Sequence, residues 1–146
     1  MKTYKAKTVL HVTVADNAIQ DPSACDSPAK ALPYLEKIRA MDRECFVGIY
    51  LNTRGQVLAT ELISMGTLSA SLVHPREVFK VALLMNAAAI IVAHNHPSGG
   101  TMPSSEDKDA TRRLCRAGEL LGVPVMDHLI VAKDGHYSFK ENGALS

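Results

Sequence analysis

Ala88-Ala89-Ile90-Ile91-Val92-Ala93-His94-Asn95-His96-Pro97-Ser98-Gly99-Gly100 is the stretch that decides the fold. Its first six residues form a short apolar run, the pattern of a central strand buried on both faces. Polar residues, proline and glycine then end the strand abruptly. Successive side chains of a strand alternate faces, so His94 and His96 project to one side and Asn95 to the other. The chain turns through Pro97 to Pro103, and Ser104-Ser105-Glu106-Asp107 opens a helix that ends near Gly122. A carboxylate in that first turn can swing back over the strand end, where α/β sheets place their ligands. Two histidines and one aspartate leave a fourth tetrahedral position for water, the arrangement of a catalytic zinc site.

Each half has an ordinary reading as well. An isolated His-x-His is more often a pair of polar loop residues than a metal site. Ser104-x-x-Asp107 alone is a capping box with aspartate in place of glutamate, worth about 1 kcal/mol of helix stability. Their conjunction across one short Gly/Pro loop favours the metal reading, and capping is compatible with it.

Outward from this centre, the chain reads as one α/β domain. An alternating N-terminal strand is expected over Lys5 to Val14, followed by a loop over Asn17 to Ser27. Ser27 and Pro28 start a helix carrying Leu32, Leu35, Ile38 and Met41, with Pro33 limiting its first turn. Cys45 to Leu51 and Gln56 to Ile63 form a hairpin around the Asn52 to Gly55 turn. His74-Pro75-Arg76-Glu77 begins a helix reaching about Asn86. After the Ser104 helix come a strand over Val123 to Ala132, an Asp134-Gly135 turn and a closing strand, His136 to Phe139. The core order is α-β-β-α-β-α-β-β.

At 146 residues the chain is long enough to bury a core without staples. Sixteen basic against 15 acidic residues leave a formal charge of +1, which gives no electrostatic footprint for nucleic acid or an anionic membrane. Cys25, Cys45 and Cys115 form no Cys-x-x-Cys pair, so the zinc-ribbon and thioredoxin readings fall away and a reduced, cytoplasmic protein is expected. The longest apolar stretch, Val81 to Ala93, is interrupted by Asn86 and too short to cross a bilayer. No His-Glu-x-x-His helix and no Pro-Cys-x-x-Cys pair is present, which removes the thermolysin and zinc-deaminase plans.

His94-x-His96, seven residues, then Ser104-x-x-Asp107, with a glutamate ahead of an earlier strand, resembles the JAMM (MPN-plus) metalloprotease signature. His74-Pro75-Arg76-Glu77, His94-Asn95-His96-Pro97-Ser98-Gly99, Pro103-Ser104, Asp127-His128 and Ser138-Phe139 narrow the resemblance to the RadC-type JAB domain. It covers about residues 27–146, with residues 1–26 part of or appended to that domain.

The resemblance implies a three-layer α/β/α fold with a mixed central sheet, sharing its element order with cytidine deaminases. It implies Zn²⁺ on His94, His96 and Asp107, with Glu44 as general base for the metal-bound water and Ser104 hydrogen-bonding the oxyanion. The expected activity is hydrolysis of a peptide or isopeptide bond in a peptide or protein substrate, with no membrane partner.

A DNA-repair accessory role and a catalytically idle JAB binding module are the alternatives. The chain is read as standalone, without the helix-hairpin-helix region that usually precedes the JAB domain, and its near-neutral charge weakens a nucleic-acid role. The complete ligand set weighs against an idle module. Neither substrate identity nor oligomeric state follows from these motifs. In Asp127-His128, either a carboxylate orients a ligand imidazole or a polar pair is satisfied at a strand start. Asn95 and Ser98 shape the loop or touch substrate. His11, His74 and His136 read as strand, cap and hairpin residues.

Overall fold

The computed structural model describes residues 22–66 and 73–146. The strand expected over Lys5 to Val14, with His11, lies outside the described residues. Among the described residues, five strands form one mixed sheet in the order β2-β1-β3-β4-β5. They are β1 (Glu44–Leu51), β2 (Val57–Gly66), β3 (Ala89–Asn95), β4 (Val125–Ala132) and β5 (Gly135–Ser138). β1 runs antiparallel to both β2 and β3, and β4 runs antiparallel to β5. β3 and β4 are parallel, as a connection through a helix requires.

Helices cover both faces. α3 (Pro75–Leu84) and α4 (Ser105–Leu121) pack on the face formed by Phe46, Tyr50, Ile90 and Val92. The other face, formed by Val47, Ile49, Ile91, Ala93 and Leu129, lies under Ala31, Leu35 and Ile38. Two buried faces explain why β1 and β3 are nearly all apolar instead of alternating with polar residues. The three-layer α/β arrangement expected from the sequence is the one observed.

The helix after Ser27 is the element that differs. It divides into α1 (Pro28–Ala31), a 3₁₀ turn (Leu32–Leu35) and α2 (Glu36–Arg39). Pro33 has no N–H to give residue 29 and its ring crowds that carbonyl, so the α-ladder tightens into a 3₁₀ turn. Leu35 and Ile38 still reach the core, whereas Met41 falls beyond the last turn and is exposed. Cys25 is buried, and its N–H donates to Gly55 O at 2.8 Å, so the chain is tied to the domain just before α1.

Candidate metal centre

β3 delivers the two histidines. Phe46 on β1 pairs with His94, and their rings stack with centroids 5.9 Å apart and planes 8° apart. His94 is fully buried, whereas His96, just past the strand, keeps a partly open side chain. The sheet pattern continues for one residue beyond β3: His96 N–H donates to Val131 O at 3.0 Å. His94 and His96 therefore share the face that looks toward α4, as the two-residue period requires.

α4 delivers the carboxylate. Ser104 is its N-cap: Ser104 Oγ accepts from Asp107 N–H at 3.1 Å, and Ser104 N–H donates to Asp107 Oδ2 at 2.9 Å. This reciprocal capping box locks the first turn and points the buried Asp107 side chain at the end of β3. Asp107 Oδ1 lies 3.2 Å from His94 Nε2, and Oδ2 lies 3.3 Å from His96 Nε2. The two Nε2 atoms are 3.0 Å apart.

Glu44, the first residue of β1, completes the group. One ligand atom from each of Glu44, His94, His96 and Asp107 falls within 4.8 Å of every other. The segment that carries Glu44 is held by Asn95 from the opposite face of β3. Cys45 N–H donates to Asn95 Oδ1 at 2.6 Å. Asn95 Nδ2 donates to Arg43 O at 2.8 Å and Met41 O at 3.3 Å. The role of Asn95 is thus to brace the backbone on both sides of Glu44.

The chemistry of this set fits a divalent cation. His96 Nδ1 lies 2.9 Å from Gly100 O, and a carbonyl only accepts, so Nδ1 carries hydrogen and Nε2 of the neutral ring carries a lone pair. That lone pair faces a second imidazole nitrogen and two carboxylate oxygens, a cluster of acceptors that only protons or a metal ion can reconcile. Ligands at about 2.0–2.1 Å from a tetrahedral zinc sit about 3.3 Å apart, close to the spacings here.

The charges respond accordingly. Burial pushes the Asp107 carboxyl up, but hydrogen bonds with His94, His96 and the Ser104 backbone outweigh it and hold the group well below the carboxylate range. The bond to Asp107 raises the His96 pKa against its partial burial. Glu44 moves the other way: burial raises its pKa, the two histidines oppose that, and Asp107 adds to it.

Of the five residues singled out from sequence, the structure brings four into one group. Ser104 is exposed and touches the group through Asp107. Asp127-His128 divides in an unexpected way. The Asp127 carboxylate accepts from His128 N–H at 2.7 Å, Ser138 Oγ–H at 2.6 Å and Lys140 N–H at 3.0 Å, latching β4 to the chain after β5. It is the His128 ring, not the carboxylate, that meets the His94 imidazole, with Nε2 2.8 Å from His94 Nδ1. Burial keeps His128 well below the usual histidine pKa, with the His94 charge adding to the effect. Thr111, absent from the sequence reading, contacts the other His128 nitrogen at 2.6 Å. A threonine on the buried side of α4, one turn after Asp107, was the only available signal.

Comparison with known proteins places this geometry. Residues 25–144 match the RadC-like JAB domain. A UPF0758 protein of Desulforamulus reducens is 50% identical over 111 residues, covering 76% of this chain and 49% of that protein. One from Clostridioides difficile is 48% identical over 109 residues, 75% of this chain and 46% of its own length. One from Thermotoga maritima is 44% identical over 124 residues, 85% and 56% respectively. The chain therefore spans about half the length of the curated relatives it matches. With the matched segment holding the whole sheet, its helices and all four clustered side chains, the chain belongs to the RadC-like JAB domain family.

Proposed function

We propose that this domain is a zinc-dependent hydrolase of amide bonds, of peptidase or isopeptidase type. The observation that carries the reading is the position of Glu44: a half-buried carboxylate with a raised pKa, beside two histidines and an aspartate whose ligand atoms converge. Zinc, when bound, supplies a Lewis acid and lowers the pKa of a coordinated water toward about 7. His94, His96 and Asp107 would hold the ion, and Glu44, in the same cluster, would serve as the base. Glu44 takes the proton of the attacking water and returns it to the departing amine nitrogen. An upward shift favours taking the proton, because it makes the carboxylate a stronger base than an ordinary glutamate. Ser104, at the N-terminus of α4, is assigned to the developing oxyanion, where the helix dipole also favours negative charge.

Metal content and hydrolysis of a peptide and isopeptide library test the assignment together. The expected result is about one zinc per chain in both the parent and Glu44→Gln, with turnover lowered roughly 10²–10⁴-fold in the variant. Absence of stoichiometric metal, or undiminished turnover by Glu44→Gln, would refute it.

A further inference from the structure

To bind a cation through Nε2, His94 must carry its hydrogen on Nδ1. Which nitrogen is protonated is set by the partner of the other one. Thr111 Oγ lies 2.7 Å from Asp107 O and 2.6 Å from His128 Nδ1. A carbonyl only accepts, so the single hydroxyl proton of Thr111 goes to Asp107 O. The same oxygen must then accept from His128, which places a hydrogen on His128 Nδ1. His128 is fully buried, its ring stacked on Phe139 at 4.7 Å. Its two nitrogens are taken by Thr111 and His94, neither of which is a carboxylate, so a second, charge-bearing proton would be uncompensated there. His128 Nε2 is therefore an acceptor, and His94 Nδ1, 2.8 Å away, donates to it.

We infer that Thr111 and His128 are positioning residues that select the His94 tautomer, leaving its Nε2 lone pair aimed at the metal position. The relay starts at the backbone carbonyl of Asp107 and passes through Thr111 and His128 to His94, whose Nε2 lone pair lies 3.2 Å from Asp107 Oδ1, both acceptors facing the metal position. It thereby couples the orientation of one ligand to the backbone of another. The inference rests on the reading of His94 as a metal ligand.

The test combines long-range ¹H–¹⁵N NMR of the histidine rings at alkaline pH, without metal, with zinc affinity measured by chelator competition. In the parent protein, His94 and His128 should both appear as Nδ1–H tautomers. Thr111→Val, which keeps the shape and removes the acceptor, should lose the His128 Nδ1–H signal and bind zinc about 10–100-fold more weakly. Thr111→Ser, which restores the hydroxyl, should stay within about threefold of the parent. A parent His94 protonated on Nε2, or a folded Thr111→Val with parental affinity, would overturn the inference. If Thr111→Val does not fold, the parent spectrum decides, and a Thr111→Ser variant weakened tenfold counts against the relay. A parent that binds no zinc at all refutes the proposed function, whereas the metal-free tautomers judge the relay separately.

Discussion

At His96, a proton and the proposed metal ion would compete for the same atom. Its hydrogen bond to Asp107 raises its pKa above the ordinary 6.5, so without metal the ring holds a proton in a range where free imidazole has lost it. Loading a cation must displace that proton. Zinc affinity should climb as pH rises through the raised pKa of His96 and level off above it, a trend that titration across pH 6 to 9 would record as proton release falling to zero. A flat profile would mean that His96 is not a ligand. Single residues also show how far sequence reaches. His94, His96 and Asp107 were legible because strand parity and a helix cap are local rules. The part played by His128 was not, because it depends on the parallel register that sets Val92 against His128, and register between β3 and β4 is a tertiary fact.

Among the elements, α3 and α4 approach through a glycine. A Cβ on Gly118 would sit 2.5 Å from Val123 O and 3.2 Å from the Phe79 ring. Val123 N–H donates to Gly118 O at 2.9 Å and Gly122 takes a left-handed φ of 71°, so the helix end has little room to yield. Alanine gains about 1 kcal/mol of helix propensity over glycine, but overpacking against backbone costs about 1–3 kcal/mol. Gly118→Ala should therefore destabilise by up to roughly 2 kcal/mol in denaturant unfolding, the opposite sign from an exposed helix site. The same contest between local preference and packing explains the misread helix after Ser27. Apolar spacing correctly marked Leu35 and Ile38 as core, while Pro33 broke the ladder without moving them off the sheet. β2 likewise runs on to Gly66, past Ile63, because β1 supplies partners as far as Glu44.

For the molecule as a whole, the clustered ligand atoms come from three elements far apart in sequence, β1, β3 and α4. An unfolded chain cannot assemble them, so a metal ion held there would bind the native state selectively. At a free zinc concentration 100 times its dissociation constant, the gain is about 2.7 kcal/mol. For a chain of this length that is a rise in melting midpoint of roughly 5–10 °C, reversed by a chelator. Asp107→Ala should abolish the shift. Among the described residues no helix is long and apolar enough to cross a membrane. The layered architecture was legible because two uninterrupted apolar strands demand cover on both faces. The Asn95 brace was not, since parity shows which way a side chain points but not what it meets. That brace has a geometric consequence. Three of the four clustered side chains are gauged from one tripeptide: His94 and His96 on one side, and through Asn95 the backbone at Glu44 on the other. A proton passing between them would thus be referenced to a common datum at the end of β3. Asp107, the fourth member of the cluster, is gauged separately, through the capping box that opens α4.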